Sequence, residues 1–170
     1  MAATLRILIA VIFVLITTSG GIYASTHEFA DTASDSIVPF LIIGEVTLLA
    51  EGKGPAVQGT KSLLYTGLET HLLKATVRAK RPNSDVRTSF PSGHTSAAFA
   101  MATVLADYKP KLAIPAYAVA TTIGWSRVEV NDHTWADVIA GAALGYFTAK
   151  HFTKSHLSVS PDGVDYDWKW

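Results

Sequence analysis

Apolar stretches recur along this chain, each cut off by turn-forming residues, and none alternates with a period of two. A strand with one buried face alternates apolar and polar side chains, whereas a helix buries every third or fourth residue. Residues 5–24, 37–50, 56–80, 94–108, 112–125 and 135–152 all suit the helical pattern, and no Asn-Gly or Asp-Gly pair is read as a hairpin between apolar runs. The breaks fall at Glu51 to Pro55, Arg81 to Asp85, Tyr108 to Lys111 and Asn131-Asp132, where turn chemistry competes with helix. Gly141 and Gly145, about one turn apart in the last stretch, would let a neighbouring helix come close. The expected fold is all-α, a compact bundle of about six helices.

At 170 residues the chain suits one domain. Only 16% of it is charged, against roughly 25% in ordinary soluble domains. That deficit excludes a disordered chain and points to a membrane-embedded bundle. Lys+Arg and Asp+Glu both number 14, so the net charge is +0 and a nucleic-acid binder is excluded. The absence of cysteine removes disulfides, thiolate metal sites and cysteine nucleophiles together. Residues 1–24 combine Arg6, an apolar middle and small residues near Ala24, and read either as a signal peptide or as a first transmembrane helix. Both readings put residue 25 outside the cytoplasm. Residues 25–157 would form the bundle, and 158–170, with Pro161 and Gly163, a flexible tail.

Three polar clusters interrupt this pattern. In the first, Lys74 and Arg81 are seven residues apart, so on a helix they lie near one face, and Pro82 ends the element. Two cations at a bundle mouth suit an anion, although a basic helix end also complements the helix dipole. In the second, Phe90-Pro91-Ser92-Gly93-His94, Ser92 is a candidate N-cap and Gly93 lets a ligand approach the backbone. Free N–H groups at a helix start bind phosphate, and His94 is placed there to exchange a proton. An ordinary cap followed by a partly exposed histidine has the same sequence. In the third, Ser126-Arg127 precedes His133 and Asp137, which are four apart at a helix start, so their side chains can meet. A carboxylate on one ring nitrogen leaves the other free and basic, as a nucleophilic histidine requires. Arg127 offers a planar fork for phosphate oxygens. A structural His–Asp pair capping a helix is the plainer reading.

Taken together, the clusters resemble the signature of the type 2 phosphatidic acid phosphatase (PAP2) and vanadium haloperoxidase superfamily: K-x6-RP, PSGH and SR-x5-H-x3-D. Lys74, Arg81 and Pro82 match the first motif, and Pro91, Ser92, Gly93 and His94 the second. Ser126, Arg127, His133 and Asp137 match the third, in the right order and with the internal spacing intact. The resemblance implies a phosphoric ester hydrolase that needs no metal and no cofactor. In it His133 attacks phosphorus to form a phosphohistidine, Asp137 orients that histidine, and His94 protonates the leaving oxygen before activating water. Lys74, Arg81 and Arg127, with the backbone N–H groups of Ser92 and Gly93, would hold the non-bridging oxygens. The implied substrate is a lipid phosphomonoester or pyrophosphate of the phosphatidic acid, phosphatidylglycerophosphate, isoprenyl pyrophosphate or lipid A type. The departure from the family is size, since the chain is small and its helices are short and relatively polar.

If residue 25 lies outside the cytoplasm, alternating helices bring all three clusters to one outward-facing end. The site would then face the periplasm from a bacterial inner membrane. Arg6, Lys53, Lys109, Lys111, Lys150 and Lys154 would lie at the other end, in line with the positive-inside tendency. A soluble periplasmic acid phosphatase of broad specificity is the main alternative. A vanadate-dependent haloperoxidase and a non-catalytic phosphate-binding scaffold are further ones. Arg78, Lys80 and Arg87 read as a basic rim, His71 as a core or interface residue, and Trp125 and Trp135 as bundle packing. Glu129 and Asp132 receive no role, and nothing in the sequence indicates an oligomeric state.

Overall fold

The computed structural model describes residues 25–153, 155–160 and 163–168. Within them lie the α-helices α1 Thr26–Asp35, α2 Ile37–Glu51, α3 Lys53–Val77, α4 Gly93–Tyr108, α5 Ala113–Glu129 and α6 Trp135–Phe152, with a 3-10 turn at Pro110–Leu112. The expected segment at 1–24 lies outside the described residues. The additional helix is α1, which is too polar for an apolar-run reading. Its signal is a capping box: Ser25 Oγ accepts the Glu28 N–H at 3.2 Å, while the Glu28 carboxylate accepts the Ser25 N–H at 2.9 Å. α1 packs on α5, where the Ser34 and Ser126 hydroxyls bond at 2.9 Å and the Phe29 and Trp125 rings lie 6.0 Å apart.

Two helix boundaries depart from expectation. α3 begins before Pro55, which is tolerated in a first turn, and ends at Val77 rather than at residue 80 because Arg78 turns left-handed at φ 50°. α5 continues past residue 125 to Glu129, so Arg127 sits on its last turn.

α4 is the axis of the bundle. Its side chains are mostly small, and Ala98, Ala100, Met101, Ala102, Val104 and Leu105 are buried, as are Thr95, Ser96, Thr103 and Asp107. α2, α3, α5 and α6 pack around it. Gly145 lets α6 lie on the α4 backbone: a Cβ there would collide with the Ser96 carbonyl oxygen and come within 2.8 Å of Ala100 N. Backbone atoms cannot swing aside as a side chain can. Gly145→Val is therefore expected to lower stability by about 3 kcal/mol, the upper end of ordinary overpacking costs. The check is the thermal midpoint in detergent, and an unchanged midpoint would contradict so close an approach.

Residues Ser155–Ser160 and Gly163–Trp168 pair as an antiparallel ribbon, Ser155 opposite Trp168 and Ser160 opposite Gly163. The ribbon lies largely within the tail expected at 158–170. Ser160-Pro161-Asp162-Gly163 carries turn chemistry, and Leu157, Val159, Val164 and Tyr166 alternate with polar residues around it. The runs are short and polar at every second position, which hides them from a search for apolar stretches.

The outer faces of the helices carry apolar stripes. Val38, Ile42 and Val46 on α2, Leu64, Leu68 and Leu72 on α3, and Ile139 and Phe147 on α6 are all more than half exposed. Such contiguous exposure marks a surface meant for an apolar partner. Among the described residues no single helix is long and apolar enough to cross a membrane; α1 and α2 together are, but with a 42° bend between them.

Candidate active site

The last turns of α3 and α5 and the first turns of α4 and α6 meet at one end of the bundle, and specific bonds hold them there. Lys74 Nζ, on α3, donates to the carbonyls of Thr88 at 2.5 Å and Ser89 at 3.4 Å, fixing the loop that leads into α4. The Ser92 N–H donates to the Asp137 carbonyl at 3.0 Å and joins α4 to α6. Gly141 protects this junction, since a Cβ there would sit 2.6 Å from the Ser92 carbonyl oxygen. The Arg127 carbonyl accepts the N–H groups of both Asp132 and His133, at 3.1 and 3.0 Å, which folds the next loop back over the end of α5. That loop passes through Asn131 at φ 59°, a left-handed conformation that asparagine tolerates.

His133 and Asp137 are both buried. Thr134 caps α6, and Asp137 closes the capping box: its Oδ2 accepts the Thr134 N–H at 2.8 Å and the Thr134 hydroxyl at 2.9 Å. The same oxygen accepts the Ser89 hydroxyl at 2.7 Å. His133 Nδ1 lies 3.8 Å from that oxygen and 3.4 Å from Ser89 Oγ. The first distance suits an ion pair but exceeds a hydrogen bond. The direct His–Asp bond expected from the four-residue spacing is thus replaced by a relay through Ser89. A proton on Nδ1 facing this relay leaves the Nε2 lone pair to act as nucleophile. Ser89 lies outside every motif, and no local pattern marks it. It reaches Asp137 because Lys74 holds the carbonyls on either side of its backbone unit.

Burial, then the charges of Lys74, Arg81 and Arg127, push the His133 imidazole down to about 4, against the opposing pull of Asp137. Burial also lowers His94, helped by Arg127 and Arg81. Burial and the nearby Arg81 charge bring the Lys74 ammonium down to about 8. Burial alone would raise the Asp137 carboxyl, but the bonds from Thr134 and Ser89 and the charge of His133 outweigh it and hold the carboxyl low. At neutral pH the site therefore presents a neutral histidine beside an ionised carboxylate and three cations.

Asp132, which the motif reading leaves without a role, sits among those cations. Its Oδ2 accepts from Arg127 Nη2 and lies 3.8 Å from Arg81 Nη1, while its Oδ1 accepts from Asn83 Nδ2 at 2.5 Å. The Nε atoms of Arg81 and Arg127 are buried without a partner. Lys74 spends two of its three donors on carbonyls, which leaves one. The expected role of Ser92 needs correcting. Its N–H is committed to Asp137, and its hydroxyl accepts from Thr95 Oγ1 at 2.9 Å instead of capping α4, so it ties helices together. The Gly93 N–H, at the first position of α4, is one that a helix leaves without an internal acceptor.

Residues on the margin fall as follows. Lys80 pairs with Asp85 at 2.7 Å, and Arg78 and Arg87 are exposed, as a rim would be. His71 is exposed and not in the core. Trp125 packs on Phe29, but Trp135 is 55% exposed and does not fill the bundle. At the other end Lys109 pairs with Glu51 at 2.6 Å and Lys150 with Asp107, so two of the cations expected there are neutralised.

The chain is similar to known proteins over much of its length. The chain is 30% identical over 156 residues to a lipid A 1-phosphatase of Porphyromonas gingivalis, an alignment that covers 84% of this chain and 34% of that protein. It is 30% identical over 123 residues to a lipid A 1-phosphatase of Rhizobium johnstonii, covering 60% of this chain and 50% of the relative. It therefore spans between a third and a half of the length of these relatives. The crystal structure of Aquifex aeolicus LpxE superposes with a TM-score of 0.60 at 24% identity, over 71% of this chain and 85% of that one, and shares the fold. The profile of the PAP2 superfamily matches residues 56–159, from α3 to the ribbon and across all three motif clusters, and the chain belongs to that superfamily.

Proposed function

We propose that this chain is a membrane-associated phosphatase that hydrolyses lipid phosphomonoesters or pyrophosphates through a phosphohistidine on His133. The observation that carries the reading is a buried neutral histidine beside an ionised carboxylate, ringed by Lys74, Arg81 and Arg127 with donors to spare. Nε2 of His133 forms a bond to phosphorus as the ester P–O bond breaks, and His94 gives its proton to the leaving oxygen. Neutral His94 then takes a proton from water, which attacks phosphorus, releases phosphate and restores His133. The cations offset charge on the transferring group throughout, the main contribution available in phosphoryl transfer. The apolar stripes on α2, α3 and α6 support a lipid substrate and lipid contact, as does the similarity to lipid A 1-phosphatases. An outward-facing site on a bacterial inner membrane is part of the same proposal, together with a signal peptide or anchor in residues 1–24.

The protonation states set a pH window. His133 must be neutral to attack, which holds above about 4, and His94 must carry its proton, which holds below a value depressed from 6.5. kcat/KM, which reports the free enzyme, is expected to peak in the acid range between these limits and to fall on either side. Bound phosphate raises the pKa of nearby histidines, so the falling limb of kcat should lie at higher pH than that of kcat/KM. A profile that stays flat well above pH 6.5 would contradict His94 as the acid.

The substrate is tested by measuring phosphate release in detergent from phosphatidic acid, phosphatidylglycerophosphate, an isoprenyl pyrophosphate, lipid A and a water-soluble phosphomonoester. Lipid substrates are expected to be preferred by kcat/KM. Equal or better turnover of the soluble ester would favour a broad-specificity acid phosphatase.

A further inference from the structure

Asp132 stands at a variable position of the third motif, yet it holds both arginines of the phosphate cradle. We propose that Asp132 is a resident anion that occupies the cradle between turnovers and competes with the substrate phosphate for Arg81 and Arg127; this rests on the phosphate-site reading above.

Three observations carry it. The carboxylate is positioned on both sides, with Asn83 on one oxygen and the two guanidinium groups on the other. Its backbone N–H is fastened to the Arg127 carbonyl at 3.1 Å, so a displaced carboxylate swings about an anchored backbone and stays within reach of the arginine it neutralises. The ion pairs do not satisfy the arginines, because both Nε atoms remain buried and unpartnered. A tetrahedral oxyanion offers more acceptor oxygens than a carboxylate, so it can take these unmet donors together with the Nη groups. The cradle is thus kept ordered when empty, and its net positive charge is lower than three cations would make it. A phosphate group enters by displacing the carboxylate, and product phosphate leaves as the carboxylate returns. Asp132 is a selectivity and positioning residue in this account, since it need not touch the reacting atoms.

The test is calorimetric titration of the full chain in detergent with inorganic phosphate, at fixed ionic strength and pH, which requires no turnover. Asp132→Asn removes the charge and keeps an acceptor for Asn83. It is expected to tighten phosphate binding tenfold or more and to lower KM, with kcat reduced by slower product release. Asn83→Ala leaves the charge but loosens its tether at an exposed position, and should tighten binding by a smaller factor. Asp132→Glu should stay within threefold of wild type. Unchanged or weaker binding in a folded Asp132→Asn variant would overturn the proposal, weaker binding meaning that Asp132 only supports the arginines. Unchanged or weaker binding in Asn83→Ala would overturn it as well, should Asp132→Asn fail to fold. If wild type binds no phosphate, the phosphate-site reading falls and this inference with it; if wild type binds and the variants match it, only the role of Asp132 falls.

Discussion

His133→Ala is expected to reduce phosphate release by at least about ten-thousandfold, the scale on which loss of a covalent nucleophile acts. No neighbouring group can replace it. Asp137 is committed to three hydrogen bonds, Ser89 donates to that same carboxylate, and His94 is needed as the proton donor. The fold should survive, because the polar contacts of the imidazole to Ser89 and Asp137 are long, 3.4 and 3.8 Å, and α6 keeps its Thr134 cap. Binding of inorganic phosphate should also survive, since the cations remain. The measurement is single-turnover phosphate release alongside the thermal midpoint. Residual activity within tenfold of wild type would place the nucleophile elsewhere.

Asp137→Asn is expected to lower kcat by roughly a hundredfold to ten-thousandfold, in the range seen when the carboxylate behind a catalytic histidine becomes an amide. The carboxylate oxygen accepts from Ser89 and twice from Thr134. An amide can present its oxygen to some of these donors, but its NH2 group must face others, and a buried donor facing a donor is costly. Ser89 would rotate, and the relay that orients Nδ1 of His133 would be lost. The charge balance changes too. Asp137 is the partner that opposes the downward push on His133 and on Lys74, so both would be held in their charged forms still less. The loss should fall on kcat with little change in KM, because Asp137 faces the histidine and not the phosphate. A loss below tenfold would mean that Ser89 and the backbone orient His133 without the carboxylate.

The parts of this site that were legible in the sequence are those that a single element specifies. Lys74 lies near the end of one helix, His94 at the start of another, and His133 with Asp137 at the start of a third; Arg81, expected on the same helix face as Lys74, instead lies in the loop beyond, because Arg78 turns left-handed and ends α3. Helix alternation then brings these ends together, as the bonds from Lys74 to Ser89 and from Ser92 to Asp137 show. Groups whose role depends on a contact across elements could not be read that way. Ser89 meets Asp137 only because α3 and α6 converge, 48 residues apart in sequence. Asp132 meets Arg81 and Asn83 across the loop that leads into α4. Ser92 stands in the motif as a phosphate donor, but its N–H is committed to the Asp137 carbonyl across two helices. Helix α1 and the terminal ribbon escaped for a different reason. Both are polar, and their signals, a capping box and two short alternating runs, are a few residues long.

The central claim is covalent: phosphate passes through His133. Rapid acid-free quenching during turnover, followed by mass spectrometry of the peptide that contains His133, tests it directly. The expected result is an acid-labile phosphoryl group on His133. It should accumulate in His94→Ala with a substrate whose leaving group needs no protonation, because water is then no longer activated, and it should be absent in His133→Ala. Steady turnover with no phosphoryl group on His133, in wild type and in His94→Ala alike, would contradict the account.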